Sequence, residues 1–157
     1  MRTSVFVVFL IGCERVADVG GGTAEAPLRE LVSATMTGDA GAMRHALVSP
    51  DRLRKAVSCP ASNKLFSDLE LAVEHVGEVA KLVGDAKPKV EVMAMTQTGS
   101  TKLSSGDNFR GCTANEPFEV RNFSIKMRMS ALGQQDETDD TGDVIQLDGR
   151  WYALLKE

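Results

Sequence analysis

Pro88 divides this chain into two parts with different hydrophobic periods. Before it, apolar residues recur three and four positions apart; after it they alternate. The first period predicts amphipathic helices and the second predicts strands with one buried face. Helices first and then a run of antiparallel strands is an α+β order, in which the N-terminal helices are expected on one face of the sheet.

The helical part carries its own punctuation. Pro27 suits a first helical turn, Leu28, Leu31, Val32, Thr35 and Met36 share a face, and Gly38 stops the helix. Asp39 caps a second short helix with Met43, Ala46 and Leu47, and Ser49-Pro50 opens a third with Leu53, Ala56 and Val57. Ser67-Asp68-Leu69-Glu70 reads as a capping box, with Phe66 and Leu71 placed for a hydrophobic staple. Leu69, Ala72, Val73, Val76, Ala80 and Val83 form the stripe that follows. Gly77 within it costs about 1 kcal/mol against alanine and suggests either close packing or a tolerated weakness there.

In the strand part, Val90, Val92 and Ala94 alternate with Glu91, Met93 and Met95. A polar stretch from Thr96 to Asn108 is expected to turn at Gly99 and at Gly106-Asp107. Phe118 and Val120 hold one phase and Phe123, Ile125, Met127 and Met129 the other, which calls for a bulge near Asn122. Gln134 to Gly142 reads as an acidic loop. Asp148-Gly149 joins the last two strands as a type I′ hairpin.

The 157 residues, 43% hydrophobic and 25% charged, suit one soluble domain. Net charge is −4 and no Lys/Arg run appears, which argues against a nucleic-acid partner. Arg2, the uncharged run Val5 to Ile11 and the small-residue ending Gly12-Cys13 make a secretory signal, the alternative being a buried strand. Leu10-Ile11-Gly12-Cys13 resembles the lipobox of bacterial lipoproteins. The resemblance implies cleavage before Cys13, with diacylglycerol on its sulfur and an acyl chain on its new amino group. The organisation expected is a signal peptide over residues 1–12, an anchored tether over 13–23 and one globular domain over 24–157. The tether holds Gly20-Gly21-Gly22, and ten flexible residues reach roughly 16–19 Å, which keeps the domain near its membrane. Glu14 follows the cysteine where an aspartate would resemble the inner-membrane retention signal of enteric bacteria, so the expected location is periplasm-facing, at the outer membrane sooner than the inner.

With Cys13 acylated, Cys59 and Cys112 remain, an even pair for an oxidising compartment; the alternative is two free thiols in a cytosolic protein. Thr37-Gly38-Asp39-Ala40 after the first helix, and Asp148-Gly149-Arg150-Trp151-Tyr152 in the closing hairpin, resemble the nuclear transport factor 2-like (cystatin-like) superfamily. That resemblance spans roughly Ala24 to Lys156. It implies a curved antiparallel sheet wrapping a helix over a pocket, in a group that includes isomerases, dehydratases and binding modules.

Three sets of side chains carry possible chemistry. His45 or His75 with a carboxylate would serve a small pocket enzyme as general base, although sequence spacing places no carboxylate convincingly beside either and offers His75 only Glu78. The same histidines with Cys59 and Cys112 lack the close spacing of a zinc set. Met93-Met95 and Met127-Met129 on neighbouring strands resemble the methionine motifs of copper(I) handlers, against the plainer reading that methionines fill core gaps. Asp136 to Asp143 has oxygen residues at calcium-loop spacing from Glu137, without the flanking helix or a terminal glutamate, and reads better as solvated loop. No serine-nucleophile or phosphate-loop motif occurs. The expected role is therefore non-catalytic binding of a ligand or protein partner without a cofactor, tethered to a membrane.

Overall fold

The computed structural model describes residues 22–86, 89–131 and 133–156. The signal, Cys13 and nearly all of the tether lie outside the described residues. Among the described residues four helices, α1 (Ala26–Thr37), α2 (Ala40–Ala46), α3 (Pro50–Ala56) and α4 (Leu65–Ala86), accompany seven strands. Strands β2 (Lys89–Leu103), β5 (Phe118–Ala131), β6 (Gln134–Leu147) and β7 (Arg150–Leu154) form one antiparallel sheet in the order β2-β5-β6-β7. Short strands β1 (Val57–Ser58), β3 (Asn108–Phe109) and β4 (Cys112–Ala114) form a second, in the order β1-β4-β3. The class is α+β. Among the described residues no helix is long and apolar enough to cross a membrane.

The short helices start where their punctuation says and Gly38 stops the first, but Leu47 and Val57, expected on the second and third, lie just past them in extended backbone, Val57 as strand β1. Gly38 takes the left-handed conformation (φ 70°) and its N–H reaches back to the Ala34 and Thr35 carbonyls. Asp39 accepts from the Ala42 amide, and Ser49 accepts from the Arg52 amide with Pro50 just behind it. The long helix differs from expectation. It begins at Leu65, because Asn63 Oδ1 accepts the Leu65 amide at 2.8 Å and so caps the chain ahead of Ser67. Ser67 donates to the Lys64 carbonyl, Glu70 pairs with Arg54, and Leu71 is 55% exposed, so neither the capping box nor the staple forms.

The two apolar phases of β5 have a different origin from a bulge at Asn122. Pairing of β5 with β6 runs unbroken from Glu119↔Gln146 to Ala131↔Gln134. The phases feed two separate cores. Phe123 and Ile125 join Val144, Trp151 and Ala153 in a cluster with Leu28, Met43, Val76 and Ala80. Phe118 and Val120 join Ile145, Tyr152 and Leu154 in another with Leu53, Val57 and Leu69. Successive side chains on a strand point to opposite faces, so consecutive burial of Val144-Ile145 and of Trp151 to Leu154 means both faces are covered there. The irregularities sit instead on β2, where the register skips Met93 and Thr98.

Two polar stretches are strand, not loop. The residues from Thr96 to Leu103 continue β2, and Gly99 lies under the Asn122 side chain, which a Cβ would meet at 2.8 Å. The acidic run Gln134–Gly142 is the first part of β6. It pairs with basic residues of β5, with ion pairs Lys126–Glu137 at 3.2 Å and Arg128–Glu137 at 3.1 Å. The Asp148-Gly149 turn has both residues at positive φ (52° and 76°), as a type I′ hairpin requires.

Cys59 follows β1 and Cys112 opens β4, and the register Val57↔Ala114, Ser58↔Thr113 leads directly to that pair. Their sulfurs are 1.99 Å apart, a disulfide closing 53 residues. In the chain-entropy account such a loop contributes about 4 kcal/mol. Arg110, at φ 50° in the intervening loop, donates to Asp143 at 2.9 Å and to the Leu155 carbonyl at 2.7 Å, tying the small sheet to the end of the large one.

Candidate functional site

The tight α1–α2 turn folds the second helix back along the first. This brings Glu30 on α1 against His45 in the last turn of α2, with Nδ1–Oε1 at 3.1 Å. The pair joins residues 15 apart in sequence, across a helix–helix contact that local spacing cannot reveal. A carboxylate at Nδ1 sets the neutral tautomer with the proton on Nδ1, leaving Nε2 as the nitrogen with an open lone pair. His45 and Glu30 are 33% and 36% exposed, so water screens the pair and it is not a sealed ion pair.

After α2 the chain runs along the outer edge of β7, where Val48 N–H donates to the Ala153 carbonyl at 2.9 Å. Ser49 then starts α3. The first turn of α3 puts the Arg52 guanidinium over the Tyr152 ring, 4.7 Å from its centroid. Between the end of α2, this link and the start of α3 lies an open cleft of about 400 Å³. Arg44, His45 and Gly41 form one wall, Ser49 and Arg52 the other, with Leu47 and Tyr152 between them. Arg44 is steadied by its Nε, which donates to the Val73 carbonyl of α4 at 3.4 Å. Glycine at 77 is not demanded by that contact, since a Cβ there would meet the Arg44 side chain only at 3.9 Å.

The charges around the cleft are unbalanced. Arg29, Arg54, Arg121 and Arg128 each pair with glutamate, and Arg110 pairs with Asp143. Among the described residues, Arg44 and Arg52 have no carboxylate partner. Among the described residues no acidic side chain lines the cleft. Asp39 caps α2, and Asp51 is engaged by Arg54 at 3.2 Å.

The other expected sites lie elsewhere. His75 is exposed on α4 with Nδ1 at 2.8 Å from the Leu71 carbonyl, away from Glu78. Cys59 and Cys112 are bonded to each other, which leaves no thiolate for a zinc set with the histidines. Among the described residues no three His, Cys, Asp or Glu side chains cluster as a metal site. The calcium spacing from Glu137 dissolves because β6 sends alternate residues to opposite faces.

The methionines also separate. Met95 stands opposite Ile125, and Met127 opposite Val92, both half-buried against the core. Met93 is the residue that the register skips, and Met93 and Met129 are each 41% exposed. The period-two alternation that would gather four thioethers on one face is broken at Met93.

Compared with known proteins, the chain matches no family model and no curated sequence.

Proposed function

We propose that this chain is a lipid-anchored protein of the bacterial cell envelope whose α+β domain binds a small ligand without turning it over. The observation that carries the binding role is the cleft beside Tyr152, where two helix ends and a strand edge bring convergent polar groups around an apolar floor. The anchor rests on Leu10-Ile11-Gly12-Cys13 and the glycine-rich segment that follows. Labelling with radioactive palmitate checks it: wild type takes up label and Cys13→Ala does not. An unlabelled wild type, or a labelled variant, rejects the anchor. For the fold we keep the cystatin-like reading, supported by the element order and by helices packed against a four-stranded antiparallel sheet.

The His45–Glu30 pair favours one second reading, a small pocket enzyme of isomerase or dehydratase type. His45 Nε2 would take a proton from carbon beside a carbonyl, with Glu30 orienting the ring. Incubating the protein with a panel of keto and hydroxy acids in deuterium oxide separates the readings. Carbon-bound deuterium that His45→Asn abolishes would establish catalysis, and none with wild type leaves binding alone.

A further inference from the structure

We infer that the cleft takes an oxyanion, a carboxylate or phosphate group on its ligand, gripped between Arg44 of α2 and Arg52 of α3. This deepens the binding reading above and rests on it. Among the described residues the cleft lining holds two guanidiniums and no acid, in a chain whose net charge is −4.

Each guanidinium is positioned by a contact that leaves donors free. Arg52 holds its guanidinium carbon 4.7 Å from the Tyr152 ring centroid and spends no N–H on a carboxylate of the described residues, and a guanidinium fork can meet two oxygens at once. Arg44 uses Nε on the Val73 carbonyl and keeps its terminal nitrogens. Glu30 occupies Nδ1 of His45 and leaves Nε2 unengaged by it. Ser49 accepts the Arg52 amide through Oγ, so its hydroxyl hydrogen remains available to a ligand.

Calorimetric titration of the full chain in neutral detergent, with inorganic phosphate and with succinate as probes, tests the inference. Saturable binding of at least one is expected, weakened about tenfold in Arg52→Gln and in Arg44→Gln, less in Arg52→Lys, and unchanged in Arg29→Gln. Thermal midpoints accompany each variant, and if Arg52→Gln fails to fold, Arg44→Gln with Arg52→Lys decides. Flotation with phosphatidylglycerol and phosphatidylcholine vesicles separates two sources of the same group. Loss of phosphatidylglycerol preference in the cleft variants assigns the site to a lipid headgroup, and an unchanged preference assigns it to a free small molecule. No saturation by either probe, or equal weakening in Arg29→Gln, overturns the oxyanion. Uncharged compounds that shift the Gly41 and Tyr152 amide resonances would then keep the binding cleft while the oxyanion falls. If nothing shifts them, both fall.

Discussion

The β5–β6 hairpin has two halves built by different means. From Phe118 to Ile125, opposite Asp140 to Leu147, the strands lie between two apolar clusters and Val144 and Ile145 are fully buried. From Lys126 to Ala131, opposite Gln134 to Asp139, β6 is exposed at every position, as it still is at the neighbouring Asp140. There Lys126 and Arg128 meet Glu137, and Lys156 reaches Asp140 at 2.9 Å. Backbone pairing is equally regular in both. One continuous ladder can therefore be held by burial at one end and by cross-strand charge at the other, with very different energies.

Substitutions should separate the halves, beginning with the buried one. Phe123→Ala removes a ring that is 2% exposed and should cost about 3–5 kcal/mol in urea unfolding, with an unchanged denaturant slope. A loss under 1 kcal/mol would mean this half is not held by its core. Next comes the disulfide, which braces the cluster on the Phe118 face. Cys59→Ser with Cys112→Ser should cost about 2–5 kcal/mol, and reduction of wild type should reproduce that drop. Smallest is Glu137→Gln, which should leave the urea midpoint nearly unmoved while weakening cross-strand contacts between Lys126 and Asp139. Acid should act in the same order of place. Hydrogen bonds from Arg128 to Glu137, and from Lys156 to Asp140, hold those carboxyls below their ordinary range. Their stabilisation is complete above the unfolded carboxyl value of about 4 and is lost as pH falls through the lower folded values. Nuclear Overhauser contacts near Lys126 should fade below about pH 4 while those around Phe123 persist; simultaneous loss would erase the distinction between the halves.

That distinction also marks where residues alone were readable. Gly38, Asp39, Ser49-Pro50 and Asp148-Gly149 act through their own backbone and neighbours, so each appears in the structure where local chemistry places it. The acidic part of β6 was unreadable as strand because its pairing depends on cations from β5, not on apolar alternation. Ser67-Asp68-Leu69-Glu70 had the right letters for a helix start, yet Asn63 reached an amide earlier and Arg54 claimed Glu70. Two apolar phases on one strand looked like a bulge, because period counting assumes one buried face. The Glu30–His45 pair and the bare guanidiniums of Arg44 and Arg52 arise from how three helix ends meet. Only the residue types were visible beforehand.

The skipped residues of β2 have a consequence beyond the methionines. The large sheet ends on one side at β7, which Leu47 and Val48 cover, and on the other at β2, a 15-residue edge. A long flat edge of that kind is a template on which another chain can add a strand, the first step of fibre growth. At Met93 and Thr98 the edge departs from regular register, and Lys89, Glu91 and Lys102 place charge along it. A second molecule therefore meets no uninterrupted ladder to extend, which resists strand-on-strand stacking when copies are crowded together.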